Sequence, residues 1–319
     1  MELNKKIKLY KMGVFGGAFT GVTWGLASVL TALAMMMGGF VNSSYAWFVA
    51  PLVASFLNYI FSTLFFTTYM AFRGKIKTSL TALKTKSGKA LVFASLCGGP
   101  IGFGMFYLSI NFIGAGFASS ISALFPILTF VFSFVFLKEK LKIKNWLGIF
   151  ISISAIAFLW FAPEEVANEN FVLGIILALG SAIAWALETV ICAWGMKDDE
   201  IGHEETLFIR NGVALIAYSV LVIPFIGGFS MTFDVITSYV GLIMAGIAVI
   251  GTVSYAVYYK VITMIGPSKS SALNITYAAW AVIFGFIFGD GTVFSWTLIV
   301  CLTLIMLGTV LASVRERGE

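Results

Sequence analysis

Long apolar runs, broken by short polar stretches, fill the chain. They fall at about 12–37, 45–71, 90–111, 115–137, 143–162, 171–195, 206–226, 236–258, 267–288 and 294–314. Each lies near the ~20 residues that a helix needs to cross a bilayer. No polar stretch exceeds about 20 residues, which leaves no room for a separate soluble domain. The pattern predicts an all-α integral membrane protein of ten transmembrane helices. The division between the third and fourth runs rests on Gly114 and Gly116.

Composition agrees. The chain is 60% hydrophobic and 11% charged, with a mean hydropathy of +0.98, more apolar surface than a soluble chain of this length can hide. The basic start, Lys5, Lys6, Lys8 and Lys11, leads into a run too long for a signal-peptide core, with no small-residue cleavage site after it. The first helix is therefore expected to stay in the membrane. Lys and Arg cluster in the N-terminal tail, in 73–89 and in 138–144, then at Lys197 and Arg210, Lys260 and Lys269, and Arg315 and Arg317. The alternate connections carry acids, among them Glu164, Glu165, Glu169, Asp234 and Asp290. By the positive-inside rule this arrangement puts both termini in the cytoplasm, with the chain in the cytoplasmic membrane. Topology and anionic lipid account for the basic loop 73–89, so no nucleic-acid partner is expected. Cys97, Cys192 and Cys301 fall inside predicted helices and His203 stands alone in a predicted loop. Disulfides, metal sites and cofactors are accordingly not expected, and no obligatory protein partner is evident.

The chain repeats itself. The first helix, FGGAFTGVTWGLASVL, reads against the sixth, LALGSAIAWALETVI, with Trp24 on Trp185 and Ala27 on Glu188. Residues 107–128 read against 259–280, with Ile113–Gly114 on Ile265–Gly266 and Ser119 on Ser271. The two registers differ by nine residues, which the longer basic loop 73–89 absorbs. Two copies of a five-helix unit follow, 1–162 and 163–319, separated by the acidic stretch PEEVANEN (163–170). An odd unit inverts the second copy in the membrane. Inverted repeats give secondary transporters two access states around a site at the repeat interface. Gly16, Gly17, Gly21 and Gly25 in the first helix, and Gly98, Gly99, Gly102 and Gly104 in the third, permit close helix packing. Pro100 and Pro126 are the candidate hinges.

The run 171–195 carries Glu188 near its middle. A carboxylate at that depth costs roughly 2.5–3.5 kcal/mol or more, so it should face a cavity or a partner. Trp185, Glu188 and Cys192 share one helical face, with Ser181 a turn earlier. A quaternary ammonium has no N–H to donate and is held by aromatic faces, each worth ~0.5–2 kcal/mol, while a carboxylate balances its charge. The candidate substrate-binding set is Trp24, Trp185, Glu188, Tyr255, Tyr259, Asn274, Tyr277 and Trp280. Trp47, Trp146, Trp160, Trp194 and Trp296 read as belt or helix-end residues. Arg210, near the start of the seventh helix, is expected to snorkel to the cytoplasmic surface. The alternative is a gating pair with Asp198, Asp199, Glu204 or Glu205.

The helix count, the five-plus-five repeat and the stretch ASSISALFPILTFVFSFVFLKEKLKIKNWLGIFISISAIAF (118–158) resemble the drug/metabolite transporter superfamily, EamA type. Pro126 after a small-residue stretch, the turn Leu137–Lys138–Glu139 and the pair Leu147–Gly148 carry the resemblance. The second copy departs from it, with Ala278 where proline is expected and Gly289–Asp290–Gly291 where the Leu-x-Glu turn is expected. The resemblance implies a cavity lined by helices of both halves. In its choline-importing branch, paired tryptophans from the two repeats and an acidic residue hold the substrate, which carries over to Trp24, Trp185 and Glu188.

The leading expectation is a secondary transporter of a small organic cation, choline or a related quaternary amine. Export of amino acids or amphipathic drugs is the alternative. A buried carboxylate can take a proton or a cation. That leaves open both proton exchange, as in the small multidrug-resistance proteins that resemble half of this fold, and uptake driven by the membrane potential. An enzyme would need paired carboxylates or a histidine cluster at depth, neither of which the sequence offers. No G-x-x-x-x-G-K-[ST] motif points to an ATPase.

Overall fold

Inside a bilayer every backbone N–H and C=O must find its partner within the protein, and helices meet that demand within one segment. A computed structural model describes residues 2–41, 46–137, 143–159, 170–197, 201–289 and 295–313, and among them there is no strand. The helices run α1 (Glu2–Met35), α2 (Ala46–Phe72), α3 (Ile76–Ala82), α4 (Lys86–Leu96), α5 (Gly104–Ser122), α6 (Phe125–Leu137), α7 (Ile143–Leu159) and α8 (Phe171–Gly195). They continue with α9 (His203–Ala217), α10 (Ile223–Ile226), α11 (Phe229–Ile236), α12 (Tyr239–Ile265), α13 (Pro267–Asn274), α14 (Tyr277–Phe288) and α15 (Trp296–Ser313). Wider π-type turns join α4 to α5 (Cys97–Phe103) and α9 to α10 (Tyr218–Val222). Among the described residues, seven helical runs are long and apolar enough to cross a membrane, and Phe125–Phe136 and Trp296–Gly308 are shorter apolar helices. The run Lys86–Ser122 breaks at Gly114, which divides it into the third and fourth of ten stretches.

That break recurs. Gly114 has φ 75° and ψ 160°, and Gly266, between α12 and α13, has φ 85° and ψ 163°. This backbone region is essentially restricted to glycine. Gly116 is helical. A second interruption follows at the same interval in each half, between Ser122 and Phe125 and between Asn274 and Tyr277. The fourth and ninth stretches are thus each built from two pieces, the discontinuous helices on which many transporters place their sites. Packing follows the same symmetry: α1 lies along α12 as α5 lies along α8, and α7 lies against α15.

Close approach explains the glycines of α1. A Cβ on Gly16 would meet the Val261 side chain at 2.8 Å, and one on Gly25 would meet the Tyr277 carbonyl at 2.7 Å. Lys138, Glu139, Trp160, Glu164, Glu165, Glu169, Asp198, Asp199, Asp290, Gly291, Arg315 and Arg317, named above from the sequence, lie outside the described residues. His203 is not in a loop but opens α9, half-buried.

Candidate functional site

Trp24 of α1 and Trp185 of α8, matched by the repeat, meet with ring centroids 5.6 Å apart. Each inserts into a shell supplied by the other half. Around Trp24 stand Tyr255 (4.7 Å), Tyr258 (6.1 Å) and Tyr277 (6.0 Å). Around Trp185 stand Phe103 (5.4 Å), Phe106 (4.9 Å) and Phe125 (6.4 Å). Each tyrosine lies 152 residues after its phenylalanine, the interval that also separates Gly114 from Gly266. The rings pack tilted or edge-on, as their quadrupoles favour.

Glu188 lies one turn beyond Trp185, 3% exposed, and its partner is Arg210 of α9, 2% exposed. Arg210 Nε donates to Glu188 Oε1, its Nη2 donates to Oε2 at 3.4 Å, and Tyr259 Oη donates to Oε1 at 2.9 Å. Arg210 Nη2 also donates to Tyr255 Oη at 3.0 Å. The guanidinium carbon sits 4.0 Å from the Tyr255 ring centroid, 5.4 Å from Phe103 and 5.6 Å from Tyr59. The expected snorkelling of Arg210 is therefore corrected. Seven residues into α9, about two turns from its start, the side chain turns inward to the buried Glu188 carboxylate rather than out to water. Unpaired, either charge would be severely penalised at this depth.

The glycine run of the third stretch forms the socket for both groups. A Cβ on Gly98 would overlap the Glu188 carboxylate, and one on Gly102 would lie 2.9 Å from the Trp185 indole. Trp185 Nε1 donates to the Gly98 carbonyl at 3.2 Å. That carbonyl lies in the π-type turn Cys97–Phe103, which also contains Pro100. Such turns free backbone acceptors and gather at functional sites.

The structure brings together Trp24, Trp185, Glu188, Tyr255, Tyr259 and Tyr277. Cys192 reaches Tyr259 Oη at 3.9 Å, which keeps it on the predicted face. Two candidates stand apart. Trp280, three residues after Tyr277, is half-buried and stacks on Phe284 at 5.6 Å, because the backbone of α1 at Gly25 fills the space below its Cβ. Asn274 is buried but donates to Thr20 Oγ1 at 2.8 Å, tying the broken ninth stretch to α1. Sequence reasoning missed Arg210, Phe103, Phe106, Phe125 and Gly98. The 152-residue interval would have pointed to Phe103 and Phe125 once Tyr255 and Tyr277 were chosen.

Glu204 and Glu205 pair elsewhere. Lys75 Nζ donates to Glu204 Oε2 at 2.6 Å and lies 3.2 Å from Glu205 Oε1, and Tyr69 Oη donates to Glu204 Oε1 at 2.6 Å. This cluster ties the connection after α2 to the start of α9. Beside the central pair, Trp24, Phe103, Phe106, Arg210, Asn211 and Tyr255 line a cavity of about 30 Å³. Ligand sites usually offer about 300–1,000 Å³, so the molecule is closed around its centre. Asn211 Nδ2, buried there, has no hydrogen-bond partner among the described residues.

The sequence matches the EamA-like transporter family over residues 11–161 and again over 172–314. It is 29% identical to Protein LicB of Haemophilus influenzae over 227 residues, 71% of this chain and 75% of that one. It is 33% identical to the uncharacterized transporter YvbV of Bacillus subtilis over 88 residues, 28% of each chain. A solved structure described only as a protein crystal structure shares the fold, with a TM-score of 0.62 at 16% identity, covering 95% of this chain and 99% of that one.

Proposed function

We propose that this chain, which belongs to the EamA-like transporter family, moves a small organic cation, choline or a related quaternary amine, across the cytoplasmic membrane by alternating access. One observation carries the reading: two repeat-matched tryptophans meet at 5.6 Å inside rings from both halves, with a carboxylate one turn away. Such an enclosure suits a cation with no N–H to offer, which aromatic faces attract without needing a hydrogen bond. The small cavity fits the same reading, since a substrate must enter by parting the two halves.

Transport of amino acids is the second reading, and a separate feature favours it. Glu188 and Arg210 side by side match the ammonium and carboxylate of a zwitterion.

Thermal stabilisation of the purified protein against choline, betaine, several amino acids and a drug-like cation separates the two, because a ligand of the native state raises apparent stability by mass action. The cation reading expects a shift with choline that fades in Trp24→Ala and in Trp185→Ala. A shift with amino acids alone overturns it in favour of the second.

A further inference from the structure

Arg210 is a full positive charge held 2% exposed among aromatic rings. Stability alone does not call for it, since well-packed apolar residues often replace a buried ion pair without loss. Its surroundings are those a small organic cation needs: the Tyr255 ring at 4.0 Å, Phe103 at 5.4 Å, Tyr59 at 5.6 Å and the Glu188 carboxylate as acceptor. The guanidinium is also a wall of the cavity that Trp24 and Phe106 line. A cation arriving beside Trp24 would therefore meet a like charge, and a carboxylate already taken.

We propose that Arg210 is a tethered occupant of the cation site: in the closed molecule its guanidinium holds the seat on Glu188 and Tyr255, and a substrate cation binds by displacing it. The inference rests on the organic-cation reading above. It makes Arg210 a specificity determinant. A solute that cannot compete for Glu188 leaves the guanidinium seated and the centre closed, whereas a cation that does compete frees the side chain and opens space. Because Arg210 sits about two turns into α9, its release gives substrate binding a handle on that helix.

The test measures choline and methylguanidinium binding by calorimetry on the purified full-length protein, comparing wild type with Arg210→Ala, Arg210→Lys and Glu188→Gln/Arg210→Gln. Removing the internal competitor should tighten choline binding about tenfold in Arg210→Ala, as expected if the open seat is populated about a tenth of the time in wild type. Methylguanidinium should bind Arg210→Ala saturably, compete there with choline, and bind wild type far more weakly. Arg210→Lys retains the charge but loses the planar fork, so it should fold and tighten choline by a smaller factor. The double variant, which lacks both charges, should show neither gain. Unchanged or weaker choline binding in both single variants, with no methylguanidinium binding, overturns the proposal while a choline-binding wild type keeps the cation reading. Methylguanidinium binding to Arg210→Ala without choline binding in any protein would instead keep the seat and sink choline as its substrate.

Discussion

The shells around Trp24 and Trp185 have the same shape and different chemistry. Phe103, Phe106 and Phe125 of the first half surround Trp185, while Tyr255, Tyr258 and Tyr277 of the second half surround Trp24. The tyrosine hydroxyls are all engaged: Tyr255 with Arg210, Tyr258 with Ser271 at 3.0 Å and Tyr277 with Ser122 at 2.7 Å. Both charges, Glu188 and Arg210, belong to the second half as well. Ala27 stands where the first half would carry the carboxylate. Ring shape and spacing are thus duplicated, while the ion pair and the hydroxyls of these two shells lie on one side. Under the proposed function, a pseudo-symmetric scaffold rocks between two states while the charged pair stays on one side, which would orient a ligand with a charged end and an apolar end.

Breaking the charged side should have the largest effect. Arg210→Ala strands Glu188 in an apolar interior and should cost about 3–5 kcal/mol of stability. Glu188→Gln/Arg210→Gln leaves no stranded charge and should recover much of that loss in denaturant unfolding of the purified protein. Equal losses in the single and double variants would mean that the pair contributes through shape, not charge. The duplicated scaffold is sharpened by Gly114→Ala and Gly266→Ala, each forcing a side chain into a region worth about 1–3 kcal/mol of strain. Near-equal drops in melting temperature are expected, and a loss in one variant alone would break the equivalence of the halves. The smallest effect belongs to the cluster that ties the halves at the rim. There the Lys75 side chain is 35% exposed, and the hydrogen bond to Glu204 holds its ammonium above the ordinary lysine value. Glu204→Gln should cost at most about 1 kcal/mol and lose that effect in high salt. A cost rivalling that of Arg210→Ala would place the main lock at the rim.

Much of this was written along the chain. Apolar runs of spanning length and the backbone's need for internal hydrogen bonds dictate helices. Gly114 and Gly266 mark breaks because only glycine takes their backbone angles with ease. Trp24 and Trp185 stand out by their repeat register. Glu188 announces that something must satisfy it, since a lone carboxylate at depth is untenable. Which group satisfies it was a tertiary decision. Arg210 lies near enough to a helix end to reach water, and only the packing of α8 and α9 on the third stretch brings it to the carboxylate. Phe103, Phe106 and Phe125 were hidden among 31 phenylalanines, because an apolar ring has the same local pattern whether it faces lipid or the centre. Trp280 looked equivalent to Tyr277 by helical spacing, yet the close approach of α1 at Gly25 leaves it outside. Local spacing and covalent preference determine elements and flag the residues that need partners. Side-chain partnership in a membrane depends on which helix faces meet, and that is fixed only when all the segments pack together.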